Sequence, residues 1–419
     1  MSQSNIDKPS MQDPVRTLHA GVDLALEKNV VVVVNERAER LDHFGFPQDR
    51  GGYDYFLRRL EGLRQKHQAV KVVVAMEPTN YFWKLLAREL EEKQQSYRLV
   101  NAYTVKKHRE GDQLDRSKDD RRDAGQIAEL SRNGKTTQTQ LQKGAYEDLR
   151  QYATLYHQLM LSIRREKTIL WGLVGQVFPE MVRAFKDLEG ETYQALLLTC
   201  PAAATIRQKP IGVFLAQVRA AYSGKRLCVS KLKRVYQLAD RSVGVTEGIQ
   251  AIQLAIQVHL TQLQVFETQL EQVTGAMTAR LFSLPEAPYL LSCPCLKSTS
   301  AALFLAEVGD PQRYQKATQW VKLAGIQPTL KASGKKQRSR TPMSHQGRPR
   351  LRTLLYFSCL RMIRYDTRFA QLYAYLQRRK DNPLTKMQAL GVLMNKLLHI
   401  WWALIQNQTF YNPSFGQPS

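Results

Sequence analysis

Three short apolar runs follow one another at the start of this chain before any helical periodicity sets in, and that order narrows the fold more than any other feature. Residues 17–35 read as strand, turn, strand: an apolar run to Leu26, a turn at Glu27-Lys28-Asn29, and the run Val30–Val34. A third strand is predicted at Leu41–Phe46, ahead of the breakers Pro47 and Gly51-Gly52. Helical spacing then covers Tyr53–Gln65, and Val70–Met76 is a continuous apolar run of the kind that forms a strand buried on both faces. A helix at Tyr81–Glu92 and a short strand at Tyr97–Asn101 follow, and a helix at Asp119–Arg132 closes the segment. Three linked strands followed by alternating helix and strand describe a mixed sheet with helices on it.

Beyond that segment the pattern is helical. Leu149, Tyr152, Tyr156, Leu159 and Ile163 form an apolar seam, and a longer one runs Ile249, Ile252, Ile256, His259, Leu263, Phe266, Leu270, Val273 and Met277. A seam of about four heptads predicts a coiled-coil hairpin or a dimer helix. Between the two seams, residues 176–245 read as a small helical insert broken by Pro179, Pro201 and Pro210. The expected organisation is a disordered N-terminus at 1–16, an α/β domain at 17–135, coiled-coil helices at 140–280 with the insert inside them, a mostly helical C-terminal domain at 281–410, and a tail at 411–419.

At 419 residues with 43% hydrophobic content, two or three packed domains are expected. The formal net charge is +24, and a balance this basic points to a polyanionic partner whose counterions are released on binding. The charge is concentrated. No acidic residue occurs between Asp310 and Asp366, while 13 lysines and arginines do: Arg313, Lys316, Lys322, Lys331, Lys335, Lys336, Arg338, Arg340, Arg348, Arg350, Arg352, Arg361 and Arg364. The stretch 331–350, rich in Ser, Gly and Pro, is predicted to be a loop or ribbon between helices, with Lys331, Lys335, Lys336, Arg338, Arg340, Arg348, Arg350 and Arg352 as a phosphate footprint. The five cysteines make no zinc pattern, because Cys293-Pro-Cys295 has no second pair. Their odd number fits reduced thiols of a cytosolic protein. The polar start Met1–Val15 lacks the apolar core of a signal peptide. The apolar stretch Met387–Ile405 contains Asn395, Lys396 and His399, so a buried helix is expected there and not a membrane span.

Four acids carry a metal-chemistry pattern. Asp23 sits in the apolar stretch Ala20-Gly-Val-Asp-Leu-Ala25, and Glu77 ends the run Val72–Met76 just before Pro78. A carboxylate in an apolar strand needs a partner, since burying it unpaired costs several kcal/mol; a metal is one partner and a backbone hydrogen bond is another. Asp120 and Asp123 share one helix face at i, i+3, where like charges repel unless a cation lies between them; helix-start residues are the bland alternative, and Asp115 and Asp119 lie nearby. As a set, the four suit two Mg²⁺ ions clamping a phosphodiester, with Mn²⁺ as a substitute. Ser333, in Lys331-Ala-Ser-Gly-Lys-Lys336, is a serine among cations able to attack a phosphodiester. Its surroundings alone do not select it over Ser339 or Ser344.

These residues resemble the DEDD "one-ten" family of bacterial insertion-sequence transposases, to which the Piv-type DNA invertases are related. The resemblance runs from about residue 17 to 407. It rests on Gly21-Val-Asp23, on Glu77-Pro-Thr79 ending in Tyr81-Phe-Trp83, and on Lys118-x-Asp120-x-x-Asp123-Ala124. It continues through Phe178-Pro-Glu180, Leu305-Ala-Glu-Val-Gly-Asp-Pro-Gln-Arg-Tyr314, Leu323-Ala-Gly-Ile-Gln-Pro328, Ser333-Gly334 and Ser344-x-x-Gly347-x-x-x-Leu351-Arg352. The resemblance implies an RNase H/RuvC-like catalytic domain, a coiled-coil linker with a helical insert, and a C-terminal transposase domain. It implies that Asp23, Glu77, Asp120 and Asp123 bind Mg²⁺ and that Ser333 forms a covalent phosphoserine with DNA. It also implies donor and target DNA, a structured guide (bridge) RNA encoded by the element, and a dimer or tetramer in which tetrad and serine come from different subunits. Three positions depart from the family: Asn80 stands where Gly is usual, Pro294-Cys-Leu-Lys297 replaces a Pro-Gly-x-Gly hairpin, and Arg348 stands where Asn is frequent. The rival readings are a site-specific invertase using the same residues, a RuvC-like metal-dependent nuclease in which Ser333 is idle, and a non-catalytic nucleic-acid scaffold.

Overall fold

The computed structural model describes residues 17–111, 119–185, 190–224, 226–329, 332–333, 336–337 and 342–413. The chain forms two compact units that divide between Leu141 and Gln142.

The first unit contains β1 (Thr17–Asp23), β2 (Lys28–Val34), β3 (Arg40–Pro47), α1 (Arg50–Lys66), β4 (Lys71–Met76), α2 (Phe82–Glu92), β5 (Tyr97–Leu99), α3 (Ala102–Gly111) and α4 (Asp120–Arg132). The strands make one sheet in the order β3-β2-β1-β4-β5. β1, β2 and β3 are linked antiparallel neighbours, whereas β4 runs parallel to β1 and β5 parallel to β4. This is the mixed sheet expected from the order of apolar runs. The first strand is shorter than its apolar run: it ends at Asp23, and Leu26 beyond it is 67% exposed. Helix α3 was not predicted, since Ala102–Gly111 carries no apolar stripe strong enough to announce it.

Side-chain alternation decides what each face of the sheet meets. Leu18, Ala20 and Val22 of β1, with Val72, Val74 and Met76 of β4, pack in one core with Phe56 and Leu60 of α1 and Leu86 and Leu90 of α2. The opposite parity meets α4. Val32 and Val34 pack with Ala124 and Ala128, and Ala75 packs with Ile127 and Leu130. Small residues on both surfaces let α4 lie close on the strands. Asp49 starts α1 by accepting from the Gly52 amide at 2.7 Å, and Asp119 starts α4 by accepting from the Arg121 amide at 3.1 Å.

Among its described residues, the regular structure of the second unit is helical apart from a small ribbon. Its two long helices are α5 (Ala145–Val177) and α11 (Ile249–Phe282). They lie antiparallel, as the pairs Arg280–Asp148 (2.6 Å), Lys167–Glu267 (3.4 Å) and His259–Glu166 (2.6 Å) require. The predicted seam is their contact: Ile256, Leu263, Val273 and Met277 are buried, and the polar member His259 reaches the buried Glu166. The insert holds α6 (Pro179–Ala184), α7 (Glu191–Thr199), α8 (Ala203–Arg207), α9 (Ile211–Ala220) and α10 (Val229–Ala239). Phe178, Tyr193, Phe214 and Leu232 pack there against Leu170 and Val174 of α5 and Leu260 of α11.

The remainder comprises α12 (Ala287–Leu291), α13 (Ser298–Val308), α14 (Ala317–Ala324), the two-residue strands β6 (Ala332–Ser333) and β7 (Lys336–Gln337), α15 (Pro349–Tyr365), α16 (Thr367–Arg378) and α17 (Lys386–Gln406). Its core centres on Phe304, whose ring meets Trp401 at 4.8 Å and Trp320 at 5.3 Å between centroids. The stretch around Met387–Ile405 is the buried helix α17, and no described helix is long and apolar enough to cross a membrane.

Of the two residues that stand in place of the family's glycines in the turn Pro294–Lys297, Lys297 is exposed and Cys295 is not. Cys295 is buried, its Sγ lies 3.3 Å from that of buried Cys293, and its carbonyl accepts from Arg361 at 3.0 Å. Burial pushes the Cys359 thiol up to about 12, and the hydrogen bond with Cys293, together with burial, raises Cys295, whereas hydrogen bonds from Ser230 and the Lys231 amide lower half-exposed Cys228. Iodoacetamide at pH 8 should therefore alkylate Cys228 in the native protein at least about tenfold faster than Cys295 or Cys359, with the difference lost in urea; peptide mass spectrometry reads both rates.

Candidate active site

The register of the central strands sets the site. Parallel pairing of β1 with β4 ends at Val22 opposite Met76. The next residues are Asp23 and Glu77, so the two carboxylates leave neighbouring strands side by side at one end of the sheet. Both have the parity of the face covered by α4: Asp23 follows His19 and Gly21 on that face, and Glu77 follows Ala75.

Helix α4 brings the second pair of acids to the same end. His19 Nδ1 lies 3.0 Å from Ser131 Oγ, near the C-terminus of α4. Two residues along β1, a Cβ placed at Gly21 would overlap the Ala124 carbonyl oxygen and the Ala128 amide nitrogen, and would lie 3.0 Å from Ala128 Cα. The helix therefore runs antiparallel to β1, and its first turn, which carries Asp120 and Asp123, lies toward Asp23. Gly21 is what permits the approach. A glycine interior to a strand signals a close backbone neighbour, and that signal was available in the sequence without being used.

Asn80, which stands where the family usually has Gly, adjoins the same end of the sheet, and nothing in the sequence signals what its side chain does there. Its backbone is not left-handed among the described positive-φ residues. Its side chain instead donates through Nδ2 to the Leu24 carbonyl at 3.2 Å and accepts through Oδ1 from the Phe82 amide at 2.8 Å. One amide thus ties the residue after Asp23 to the loop after Glu77 and caps the start of α2.

The described residues contain no group of three or more His, Cys, Asp or Glu drawn close enough to hold a metal ion. The fold shares one sheet end among the four acids without clustering their carboxylates. Asp115 and Lys118 lie outside the described residues. The donors are all carboxylate oxygens, the chemistry taken by hard divalent cations and not by soft ones. Asp119, one of the blurring neighbours, is occupied as the cap of α4.

In the second unit Ser333 lies on β6, with its backbone opposite Lys336 of β7. This is the ribbon predicted between helices, flanked by α14 and α15. Lys331, Lys335, Arg338, Arg340, Ser339 and Gly334 lie outside the described residues. The three cations nearer α15 differ in their surroundings. Arg348 donates to the Glu307 carbonyl and lies 3.8 Å from the Glu307 carboxylate. Burial, reinforced by Arg150, lowers its pKa. Arg352 donates to the Ala324 carbonyl at 2.9 Å, while Arg350 is exposed at the start of α15.

Residues 20–179 match the model of the IS110-type DEDD transposase, and residues 287–374 match that of the transposase IS116/IS110/IS902 family. The chain belongs to the IS110 family of transposases. The first match spans the sheet, α4 and α5; the second spans α12 to α15 and reaches into α16. A relative from Streptomyces coelicolor, the insertion element IS110 uncharacterized 43.6 kDa protein, is 23% identical over 305 residues, covering 70% of this chain and 72% of its own. A probable family 20 transposase of Pseudomonas aeruginosa is 27% identical over 157 residues, covering 36% of this chain and 45% of its own. An IS110-family transposase cuts and rejoins DNA, so DNA is the substrate, and a DEDD transposase depends on a divalent metal.

Proposed function

We propose that this transposase recombines DNA through a covalent phosphoserine, with an RNase H/RuvC-like acid site and a serine site acting on the same phosphodiester. The observation that carries this reading is the close approach of α4 to β1 at Gly21, which sets Asp120 and Asp123 toward the end of the sheet where Asp23 and Glu77 emerge. Asp23, Glu77, Asp120 and Asp123 would hold two Mg²⁺ ions, which supply charge neutralisation at the scissile phosphate. The hydroxyl of Ser333 attacks phosphorus: the Oγ–P bond forms, the P–O3′ bond breaks, and the hydroxyl proton passes to the departing 3′-oxygen. A 3′-hydroxyl of the second DNA then attacks the phosphoserine, re-forming the phosphodiester and returning the serine. The cations Lys331, Lys335, Lys336, Arg338 and Arg340 of the basic stretch, with exposed Arg350, grip the backbone. A contact of this kind carries no base preference, so sequence choice falls to base pairing with a structured guide RNA encoded by the element. Tetrad and serine come from different copies of the chain in a dimer or tetramer, joined along the coiled-coil helices.

The test is covalent trapping. Protein co-expressed with the RNA flanking its element is mixed with end-labelled junction DNA, with and without Mg²⁺, and run on a denaturing gel. A Mg²⁺-dependent protein–DNA band that disappears in Ser333→Ala and in Asp23→Ala supports the reading. Hydrolysed ends without an adduct, unchanged in Ser333→Ala, leave a two-metal nuclease.

The Asn80 bridge gives an independent check on the acid site. Asn80→Ala removes the tie between the Asp23 and Glu77 loops, and outer partners of metal ligands typically matter 10- to 100-fold in metal affinity. The Mg²⁺ concentration for half-maximal adduct should rise about tenfold or more, while the loss of one cap and one hydrogen bond lowers stability by only about 1–2 kcal/mol. Metal titration beside a thermal melt separates the two effects.

A further inference from the structure

Tyr81 is 67% exposed, an unusual position for an aromatic side chain four residues past a site carboxylate. The backbone beneath it is fixed on both sides. Asn80, the residue before it, donates through Nδ2 to the Leu24 carbonyl beside Asp23, and Phe82, the residue after it, donates its amide to Asn80 Oδ1. The Tyr81 carbonyl accepts from the Lys84 amide at 3.1 Å as α2 begins. Its ring leans on that of Phe82, centroids 4.5 Å apart and planes inclined by 49°, and Phe82 packs on the sheet core. Leu85, one turn further along α2, is 48% exposed and falls on the same side of the helix as Tyr81. An apolar step therefore stands at the end of the sheet that carries Asp23 and Glu77, held in place and open to solvent. The core has no use for it.

We infer that Tyr81, backed by Phe82 and extended by Leu85, is a stacking platform for an unpaired nucleobase of the DNA strand at the acid site. The inference rests on the proposed acid site. A phosphate held near Asp23 and Glu77 is joined through its sugar to a base, and an aromatic face beside the phosphate site is where that base can rest. Stacking on an aromatic side chain contributes about 1–3 kcal/mol per base whatever the base. In an intact duplex both faces of every base are already covered, so the platform selects a strand that has opened. It would hold the strand open while cutting and rejoining proceed, without adding sequence preference.

The full chain is titrated with a short oligothymidine carrying one 2-aminopurine, and separately with a duplex of the same length. The 2-aminopurine fluorescence should be quenched on binding to the wild-type protein. In Tyr81→Ala the quenching should be lost and the single strand should bind about 5- to 150-fold more weakly, with duplex affinity unchanged. Tyr81→Phe, which keeps the ring and drops the hydroxyl, should behave as wild type. An oligothymidine with one 5-iodouracil should cross-link on irradiation to the peptide containing Tyr81. Unchanged quenching and affinity in Tyr81→Ala overturn the platform while leaving the acid-site reading intact, as does a Tyr81→Ala effect on sedimentation alone, which would assign the ring to contact with a second copy. Failure of the wild-type protein to bind either DNA overturns the platform together with the DNA reading on which it rests.

Discussion

Ser333→Ala is expected to abolish the covalent protein–DNA band and to lower strand exchange by at least about 10⁴-fold, while DNA binding stays within about twofold of wild type. The size follows from what the substitution removes. A nucleophile and its activating groups act as a unit, so losing the attacking oxygen forfeits nearly all of what the unit supplies. Binding is spared because the cations that meet phosphate are unchanged and their contribution is long-ranged and independent of the serine hydroxyl. Asp23→Ala should match the loss of exchange by a different route, removing a proposed metal ligand and leaving the proposed nucleophile in place. Double substitution should then cost little more than either alone. A Ser333→Ala protein that still cleaves, or a double variant whose losses multiply, would show that the acids and the serine work on separate reactions. Ser339→Ala and Ser344→Ala are the controls, because charge and composition did not distinguish the three serines; Ser344 Oγ already donates to the Gly325 carbonyl at 3.2 Å.

The sheet was legible because each strand announces itself locally. Five apolar runs of strand length, separated by turns or by helical spacing, admit few arrangements once consecutive elements are assumed to be neighbours. Strand ends were less legible, since hydrophobicity does not mark where pairing stops: Leu24 and Leu26 continue the pattern of β1 after the strand has ended at Asp23. The long helices were readable from their seams for the same reason as the strands, and His259, an apparent interruption, is explained only by Glu166, 93 residues away in sequence. The acids were recognisable as a set from their positions at run ends and at i, i+3. Their mutual placement was not, because it depends on α4 lying across β1, a contact between residues about a hundred positions apart. The role of Asn80 was hidden for a related reason. Its partner is the backbone of Leu24, and no side chain in the sequence advertises a carbonyl.

Gly21→Ala should be among the most damaging single methyl groups in the first unit. The added Cβ would meet backbone atoms on the facing helix, the carbonyl of Ala124 and the amide of Ala128, and not the movable end of a side chain. Backbone in the middle of a helix cannot step aside alone, so either α4 lifts from β1 or the strand distorts. Overpacking of this kind costs about 3 kcal/mol or more when no side chain can yield, enough to lower the melting temperature of a domain of this size by about 10 °C. Lifting α4 also carries Asp120 and Asp123 away from Asp23 and Glu77, and separates His19 from Ser131. Two readouts should therefore move together: a lower first melting transition by calorimetry, and loss of Mg²⁺-dependent adduct at temperatures where the domain remains folded. Thr353→Ala, a change of similar size on an exposed position of α15, should move neither. Retention of full Mg²⁺ response in a destabilised Gly21→Ala protein would mean that the acids on α4 do not share a site with those on the sheet.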